Sequence, residues 1–291
     1  MKTYTLAWNG RRLELGKQTR IMGIINVTPD SFSDGGKFYN SDAAVAQGER
    51  MAEAGADIID IGGESTRPYS DPVSEAEEAR RVLPVIERLA ARVPLPISID
   101  TTKSSIAESA LRAGAEIIND VSALRVDPAL ARVAAHAGVP LILMHMKGNP
   151  KGMQKNPQYD DLIGEIKSFL SDAVRRAEAA GVSRSKIIVD PGIGFGKTFD
   201  HNLQILNRLE AFDELDCPLL VGSSRKAFIR RLVKSKDQTD PDPESPPVAK
   251  GTQASVAAAV LKGAHMVRVH DVADTRITVR IIDAVRQAGD A

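Results

Sequence analysis

The sequence has only one cysteine, Cys217, so no disulfide bond can form within a chain. A protein that is stabilised without disulfides suits a reducing compartment. Cys217 is followed by the apolar residues Pro218, Leu219 and Leu220, and free cysteines are among the most often buried residues. We therefore predict a packed thiol, rather than a nucleophile, in a cytoplasmic protein.

Long apolar runs and an excess of one charge are also missing. No uninterrupted apolar stretch approaches the ~18 residues that a membrane-spanning helix needs, and residues 1–12 lack the apolar core of a signal peptide. The 38 Lys and Arg residues are balanced by 38 Asp and Glu residues. This composition predicts a soluble protein that binds neither a membrane nor nucleic acid.

A repeating pattern runs along the 291 residues, a length that allows two ordinary domains or one large barrel. Short apolar, β-branched runs predict eight strands, at residues 21–27, 58–62, 96–100, 116–120, 140–145, 186–190, 218–222 and 265–270. Helical periodicity follows each strand, at residues 41–54, 75–92, 104–113, 128–137, 159–180, 201–212, 252–262 and 272–287.

Strands that alternate with helices through short connections predict a parallel sheet with right-handed crossovers. Eight such units favour an α/β fold of the (β/α)8 type, a TIM barrel. The alternative is a doubly wound open sheet, which usually has fewer strands and carries a glycine-rich loop after its first strand. The glycine-rich segment 192–197 comes late in the chain and lacks the spacing of such a loop, so the barrel is favoured.

Two segments lie outside this repeating pattern of strands and helices. Residues 5–15 alternate around Asn9-Gly10, a pair typical of two-residue hairpin turns. We expect a short N-terminal β-hairpin within residues 1–16 that covers one end of a single domain spanning residues 1–291. Residues 234–248 are polar and rich in proline, and are predicted to form a mobile surface loop between the seventh strand and its final helix.

Almost every predicted strand ends in a polar or charged residue. Taken singly, each could start a turn or cap a helix. Taken together they predict a site, because the carboxyl ends of barrel strands meet at one face. The residues are Asn26, Glu64, Asp100, Asn119, Asp120, His145, Asp190, Ser224, Arg225, Lys226, Arg268, His270 and Asp271.

The chemistry of these residues restricts the ligand. Asp100, Asn119 and Asp190 can hydrogen-bond a flat heterocycle that bears N–H groups. Positive charge for an oxyanion such as phosphate is available from Arg225, Lys226, Arg268 and His270. The five histidines form no zinc pattern, and no nucleophile elbow is evident. A hard cation such as Mg²⁺, held mainly by phosphate oxygens, is compatible with this set.

Five ordered motifs resemble those of the dihydropteroate synthases, a family of pterin-binding enzymes. They are residues 24–36 (INVTPDSFSDGG after Ile24), 60–68 (DIGGESTRP), 190–197 (DPGIGFGK), 222–226 (GSSRK) and 267–271 (VRVHD). The resemblance implies a TIM barrel that condenses 6-hydroxymethyl-7,8-dihydropterin pyrophosphate with p-aminobenzoate. The products are 7,8-dihydropteroate and pyrophosphate, in folate biosynthesis.

The resemblance also implies roles for individual residues. Contacts with the pterin pyrophosphate are expected from Thr66, Asp100, Asn119, Asp190, Lys226, Arg268, Val269 and His270. Contacts with p-aminobenzoate are expected from Phe32, Arg67, Pro68, Phe195 and Ser224. Mg²⁺ is the implied cofactor, with Asn26 as its protein ligand. Asp100, Lys226 and Asn26 are the implied catalytic residues.

The leaving group suggests a mechanism. We expect a dissociative reaction in which pyrophosphate leaves before the aniline nitrogen attacks, because cations stabilise the departing pyrophosphate and the methylene cation left behind is conjugated with the electron-rich dihydropterin ring. No protein nucleophile is needed for this route. Residues 28–36 and 65–71 are expected to order over the bound pyrophosphate and build the p-aminobenzoate slot.

Two other functions stay open at this point. A pterin-dependent methyltransferase that serves a corrinoid protein would share the barrel and the pterin-binding carboxylates, but has no use for the 30–36 and 224–226 motifs. A pterin-binding protein without catalytic activity is the second alternative. Family members usually form homodimers, and we expect the same here.

Overall fold

The computed structural model describes residues 1–28, 37–65, 71–235 and 239–288, with the side chains of residues 37–40 excepted. Its ten strands are β1 Tyr4–Trp8, β2 Arg11–Leu15, β3 Arg20–Asn26, β4 Ile58–Gly62, β5 Ile97–Asp100, β6 Ile117–Asp120, β7 Leu141–Met144, β8 Ile187–Asp190, β9 Leu220–Val221 and β10 Met266–Val269. Its nine α-helices, again within the described ranges, are α1 Lys37–Glu53, α2 Glu75–Ala90, α3 Ser104–Arg112, α4 Ala129–Ala137, α5 Leu162–Ala179, α6 Phe199–Asn207, α7 Ala227–Val233, α8 Pro246–Leu261 and α9 Val272–Gln287.

The strands β3 to β10 form one parallel sheet in the order β8-β7-β6-β5-β4-β3-β10-β9. Its two edges meet where Val189 and Leu219 form a parallel bridge and the Val189 N–H donates to the Pro218 carbonyl at 3.0 Å. An open sheet would leave these edges apart. The predicted (β/α)8 barrel is therefore confirmed, and the doubly wound alternative is wrong.

The barrel strands are buried on both faces because helices cover the outside and side chains fill the inside. All five residues of β4 are buried, and every residue of β6, β7 and β8 is buried as well. Each fully buried Ile or Val contributes about 1.5–3 kcal/mol relative to an exposed one. This explains why the strands appear in the sequence as continuous apolar runs rather than alternating ones.

The predicted N-terminal hairpin is confirmed. β1 and β2 pair antiparallel, with Trp8 opposite Arg11 across the Asn9-Gly10 turn. Trp8 donates its indole N–H to Glu116 at 3.2 Å, and Arg11 donates to the same carboxylate at 2.6 Å. Because Glu116 directly precedes β6, the hairpin covers the amino-terminal end of the barrel, opposite the carboxyl ends of the strands.

The segment after the seventh barrel strand differs from the prediction in two ways. A short helix, α7, follows β9 and was not predicted, because its seven residues carry too little periodicity. Helix α8 begins at Pro246 rather than at 252, so residues 246–248 do not belong to a loop. Ser245 precedes the two prolines, and proline fits the first turn of a helix because the N–H it lacks would be unpaired there. The mobility of the remaining segment stays a prediction.

No helix within the described ranges is long and apolar enough to cross a membrane.

Candidate active site

The site lies at the carboxyl end of the barrel, on a broad cleft. The parallel arrangement brings the ends of β3, β5, β6, β8, β9 and β10 to this one face. The cleft is lined by several residues singled out from the sequence, including Asn26, Phe195, Ser224, Lys226, Arg268 and His270. The convergence expected from the strand ends is therefore observed for these residues.

A buried ion network crosses the barrel interior beneath the cleft. Arg268 donates through Nε to Asp60 at 2.6 Å and through Nη2 to Asp100 at 2.7 Å. Asp60 also accepts a hydrogen bond from the Asn119 amide at 3.1 Å. One guanidinium thus holds two carboxylates from neighbouring strands, and Asp60 fixes the direction of both Arg268 and Asn119. Charge-assisted bonds of this kind are the stronger ones in proteins.

Asp60 is the member of this network that the sequence analysis did not single out. It was noted only as the first letter of a motif, and no role was given to it. Its side chain is completely buried, and one of its oxygens, Oδ1, has no hydrogen-bond partner among the described residues. A signal was available, because a lone carboxylate in the apolar run Ile58-Ile59-Asp60-Ile61 requires a buried cation or donor nearby.

Two of the carboxyl groups have perturbed proton affinities. Burial raises the pKa of Asp100 to about 7, against the opposing charge of Arg268 and with a further rise from Asp60. Burial also raises the pKa of Asp190 to about 6, opposed by the Gly192 N–H and by Lys226. Although burial disfavours its charge, Asp60 and Asp100 raise the pKa of Arg268 above its ordinary value, so the guanidinium stays charged. Perturbed titratable groups next to a cleft are typical of functional sites.

The turn after β8 carries Asp190 and Phe195. Asp190 accepts from the Gly192 N–H at 2.6 Å, and Gly192 has a φ of +69° and lies so close to the His145 carbonyl that a Cβ would be 1.9 Å from its oxygen. Only glycine fits there. The Lys226 ammonium lies 4.0 Å from the centre of the Phe195 ring. This turn therefore brings a carboxylate, an aromatic face and a cation together.

Ser224 and His270 are linked directly. The Ser224 hydroxyl and His270 Nδ1 are 3.0 Å apart. The backbone N–H of His270 also donates to the same hydroxyl, at 3.3 Å. Ser224 is buried, so it would have to exchange this contact to bind a substrate carboxylate. Val269 is buried and pairs with Gly23 of β3. Its side chain points to the opposite face of the strand from its neighbours Arg268 and His270, since side chains alternate along a strand.

Several strand-end residues have partners within the protein. Asp120 accepts from the backbone of Ser122 at 2.8 Å and of Leu124 at 2.6 Å, so it stabilises its own turn. Arg225 pairs with Asp271 at 2.8 Å and Glu244 at 2.7 Å, which leaves it less suited to bind phosphate. His145 contacts the buried Lys197 through Nδ1 at 2.9 Å, and burial and the nearby cations lower its pKa to about 2. Glu64 pairs with Lys103.

Four predicted site residues lie outside the described residues, namely Phe32, Thr66, Arg67 and Pro68. Asn26, the predicted metal ligand, ends β3 and lines the cleft half-buried. Within the described ranges no group of three or more His, Cys, Asp and Glu side chains could hold a metal ion.

The protein is a (β/α)8 barrel in which buried carboxylates and an amide lie under a cleft lined by cationic side chains. These features define a class of enzymes that bind heterocycles bearing N–H groups. Residues 22–270 match the profile of the family described as pterin binding enzyme. The chain belongs to the dihydropteroate synthases within that class, and is a transferase. A dihydropteroate synthase of Synechocystis sp. is 46% identical over 93% of this chain and 91% of its own length.

Two solved structures are similar in sequence and in fold. The Yersinia pestis dihydropteroate synthase in complex with a sulfonamide drug is 43% identical, with a TM-score of 0.88, over 98% of this chain and 99% of that one. The Xanthomonas albilineans dihydropteroate synthase in complex with 7,8-dihydropteroate is 43% identical, with a TM-score of 0.84, over 97% of this chain and 98% of that one. The resemblance inferred from the five motifs is confirmed.

Proposed function

We propose that this chain condenses 6-hydroxymethyl-7,8-dihydropterin pyrophosphate with p-aminobenzoate, releasing pyrophosphate and forming 7,8-dihydropteroate for folate biosynthesis. The observation that carries the proposal is the Arg268 network, in which one guanidinium binds Asp60 and Asp100 beside Asn119. We call Asp60, Asp100, Asn119 and Arg268 the pterin-binding floor. A flat heterocycle with N–H groups on one edge and an oxygen on the other fits this floor. The relatives named above support the same reaction.

The pterin would be held at its edges. Asp190, Asn119 and Asp100 offer oxygen acceptors to its ring N–H and amino groups, and Lys226 donates to its oxo group. Arg268 lies against the ring and, with His270 and the hydroxyl of Thr66, reaches the pyrophosphate. Val269 contributes to the site through its position in the chain between Arg268 and His270, because its side chain points to the opposite face of the strand. Because Asp60 fixes both Arg268 and Asn119, these groups are positioned before the substrate arrives.

Mg²⁺ is proposed as the cofactor, with Asn26 as its protein ligand. The amide oxygen of Asn26 is a hard donor, which Mg²⁺ prefers, and it lines the same cleft as Arg268 and His270. When bound, the ion would supply positive charge next to the departing pyrophosphate.

The proposed reaction is dissociative. The bond between the exocyclic methylene carbon and the pyrophosphate oxygen breaks, and its electron pair leaves with the pyrophosphate. The cation that remains is conjugated with the electron-rich dihydropterin ring, and the nearby carboxylate of Asp100 stabilises it. The aniline nitrogen of p-aminobenzoate then attacks the methylene carbon and loses a proton. No covalent enzyme intermediate forms.

The second substrate would bind next to Phe195. Lys226 already contacts the face of that ring, and Phe32, Arg67 and Pro68 are proposed to complete the slot. Ser224 is proposed to bind the carboxylate of p-aminobenzoate, in exchange for its contact with His270. A sulfonamide drug, as bound by the Yersinia pestis relative, would compete for this slot.

One assay separates the proposed function from its alternatives. Pyrophosphate release is measured with the pterin pyrophosphate, with and without p-aminobenzoate and Mg²⁺, and with an added sulfonamide. We expect release that requires both additions and is inhibited by the drug. Saturable pterin binding without release would indicate a non-catalytic pterin-binding protein. Methyl transfer from a methylated pterin to a corrinoid protein would indicate the methyltransferase.

Substitutions of Asn26 and Phe32 should give different kinetic defects, because Asn26 is proposed to bind Mg²⁺ and Phe32 to line the p-aminobenzoate slot. Asn26→Ala is expected to raise the Mg²⁺ concentration for half-maximal rate about tenfold, since it removes one hard oxygen ligand. Phe32→Ala is expected to raise KM for p-aminobenzoate about tenfold through lost apolar contact, with an unchanged Mg²⁺ requirement. Steady-state kinetics over a Mg²⁺ series measures both. The same kinetic defect in both variants would contradict this division.

We propose that the active form is a homodimer. Ile277, Ile281 and Val285 follow each other at four-residue spacing on α9 and are 62%, 58% and 58% exposed. Such an apolar stripe is unusual on a free helix surface. Ile281→Asp is expected to produce monomers in sedimentation velocity, because a two-fold interface would then contain one new carboxylate from each protomer. Val126→Asp, at another exposed apolar residue, serves as the control. A dimer that persists in Ile281→Asp would place the interface elsewhere.

A cytoplasmic location is part of the same proposal. Cys217 is buried and unpaired, and burial raises the pKa of its thiol to about 11, so it stays an unreactive thiol as expected in a reducing compartment.

A further inference from the structure

The glycine-rich turn after β8 is anchored by side-chain hydrogen bonds. We call residues 192–197 the Phe195 turn. Three successive carbonyl groups of this turn each accept a hydrogen bond from a side chain. They are the carbonyl of Gly194, from Gln154 Nε2, that of Phe195, from Lys197 Nζ at 2.9 Å, and that of Gly196, from the Tyr159 hydroxyl at 2.8 Å. The backbone on both sides of the Phe195 ring is therefore held in place.

The conformation of the Phe195 turn makes these bonds necessary. Gly192, Gly194 and Gly196 all have positive φ, at +69°, +85° and +64°. Glycine allows this conformation but loses more backbone freedom on ordering than any other residue. The donors that reach the carbonyl groups of the turn therefore decide where the Phe195 ring stands.

Lys197 is unusual among these donors because it is a buried amine. The residue is 3% exposed. Besides the Phe195 carbonyl, its Nζ contacts His145 at Nδ1 (2.9 Å) and at the carbonyl oxygen (3.4 Å). Burial lowers the pKa of Lys197 well below its ordinary value, against the opposing charge of Asp190 and with a further fall from Lys226. Burying an amine is costly unless its hydrogens are bonded, and these three acceptors satisfy them.

His145 gives the amine a fixed partner on the neighbouring strand. It directly follows β7, and its ring meets the Phe169 ring edge-on, with 4.8 Å between the ring centres. Burial and the nearby cations lower its pKa to about 2, so the ring stays neutral. In the tautomer that carries its hydrogen on Nε2, the Nδ1 atom accepts from Lys197. Lys197 therefore connects the end of β7 with the Phe195 carbonyl.

The anchored turn presents the Phe195 ring to the cleft. The ring and Lys197 both line the cleft, and the Lys226 ammonium lies 4.0 Å from the ring centre. The ring also belongs to a small apolar cluster with Val121, Met144, Met146 and Met153. Contacts between aromatic rings depend on their distance and tilt. A small movement of the turn would therefore weaken the contact of Phe195 with a second aromatic ring.

We propose that Lys197 is a positioning residue for p-aminobenzoate, because it binds the Phe195 carbonyl and His145 at once and so fixes the ring that the second substrate contacts. This inference rests on the proposed function, which places Phe195 in the p-aminobenzoate slot. The pterin-binding floor lies on other strands, and Asp190 keeps its own hydrogen bond from the Gly192 N–H. Loss of Lys197 therefore weakens binding of p-aminobenzoate more than it weakens pterin binding or slows the chemical step.

The test compares Lys197→Met with the native enzyme at about pH 8.5, above the raised pKa values of Asp100 and Asp190. Methionine has a similar length and removes only the donor. Lys197→Met is expected to raise KM for p-aminobenzoate about tenfold, the usual order for a lost hydrogen bond. The kcat and the calorimetric Kd for the pterin pyrophosphate are expected to stay within about twofold.

Lys186→Met is the matched control. Lys186 directly precedes β8 and donates to the Gly138 carbonyl at 2.6 Å, so its loss removes a similar lysine-to-carbonyl bond at the opposite end of the same strand. All three constants are expected to stay unchanged in this variant. A rise in KM for p-aminobenzoate as large as that of Lys197→Met would contradict the inference.

A milder variant keeps the test decisive if Lys197→Met does not fold. His145→Phe removes the Nδ1 acceptor of Lys197 and keeps an aromatic ring against Phe169. It is expected to raise KM for p-aminobenzoate about threefold. The double variant Lys197→Met/His145→Phe is expected to show the KM of Lys197→Met alone, because both substitutions break the same link.

A spectroscopic measurement reports on the ring without any substrate. The seven phenylalanines are replaced by 4-fluorophenylalanine, and the fluorine resonance of Phe195 is assigned from its loss in Phe195→Leu. We expect one narrow Phe195 line in the native protein and in Lys186→Met. In Lys197→Met and His145→Phe the line is expected to split or to broaden at least about twofold, because the ring then samples several positions.

Two further results would overturn the inference. One is an unchanged KM for p-aminobenzoate, or an unchanged Phe195 line, in both Lys197→Met and His145→Phe. The other is an equal loss in kcat and in the binding of both substrates, which would indicate a general structural role. Failure of the proposed function is distinguishable, since the native enzyme would then release no pyrophosphate while the fluorine spectra would still report on the Phe195 turn.

Discussion

Arg268→Met is expected to lower kcat/KM for the pterin pyrophosphate by about three orders of magnitude, because it removes a preorganised cation from the reacting group. The same change leaves Asp60, which is fully buried, and Asp100, which is 10% exposed, without their shared guanidinium. Breaking a buried ion pair by removing one partner costs about 3–5 kcal/mol. The free energy of unfolding should therefore fall by an amount in this range, measured by urea denaturation.

A second arginine separates the two effects. Arg20 pairs with Asp57 at 2.9 Å and is also largely buried, but it begins β3 and so lies at the opposite end of the barrel. Arg20→Met should lower stability and leave kcat/KM of the folded enzyme within about twofold, since the pair is remote from the substrate. Equal kcat/KM values in Arg20→Met and Arg268→Met would contradict the role given to Arg268.

Combining substitutions tests the charge argument directly. In Arg268→Met/Asp60→Asn one of the two facing carboxylates is neutral, so part of the lost stability should return. The activity should not return, because the cation that we propose to face the pyrophosphate is still missing. Stability would then be partly recovered while activity is not, a result that a simple loss of folding cannot produce.

Asp100→Asn is expected to lower kcat about 300-fold, because it removes the negative charge that we propose to stabilise the developing pterin cation. The amide oxygen can still accept the hydrogen bond from Arg268 Nη2 that Asp100 accepts at 2.7 Å, so the geometry of the floor should change little. KM for the pterin pyrophosphate should change less than kcat. A kcat within tenfold of the native value would contradict a catalytic role for Asp100.

The pH dependence follows from the raised pKa values of the two carboxyl groups. Asp100 is raised to about 7 and Asp190 to about 6, in both cases mainly by burial. Each is protonated below its pKa, and the ionised form is the one required, so kcat/KM should rise with pH through this window and level off above it. In Asp100→Asn the part of the rise near pH 7 should disappear, and the part near pH 6 should remain.

A third buried carboxylate provides the control for this profile. Burial raises the pKa of Asp120 as well, but Asp120 accepts hydrogen bonds from its own turn at Ser122 and Leu124. Asp120→Asn should therefore keep both rises of the pH profile, with the upper rise moved slightly to lower pH, because the charge of Asp120 is a minor cause of the raised pKa of Asp100. Ionisation of the substrate pyrophosphate affects all variants equally, so only the difference between them reports on Asp100.

Much of the fold was predictable because its signals are local. Seven of the eight barrel strands contain three or more of the residues predicted for them, and β9 contains two. The errors fall where local signals are weak or ambiguous. α7 has only seven residues, and Pro246 and Pro247 were interpreted as loop although they form the first turn of α8.

The candidate site was predictable in its residues but not in its contacts. Strand ends of a parallel barrel meet at one face by geometry alone, so Asp100, Asn119, Asp190 and Arg268 could be grouped from their positions. The partners of Ser224 and Arg225 could not be foreseen, because the choice between a ligand and a protein neighbour depends on distances of a few ångströms. The structure pairs them with His270 and with Asp271 and Glu244.

The sequence by itself determined the order of strands and helices, the barrel class and the resemblance to the dihydropteroate synthases, because periodicity and motifs are written in neighbouring residues. Only the tertiary structure decided that Arg268 reaches Asp60 across 208 positions of the chain and that Lys103 binds Glu64, Val73 and Glu78. Such contacts depend on the register of paired strands and on closure of the barrel, and no local pattern contains either.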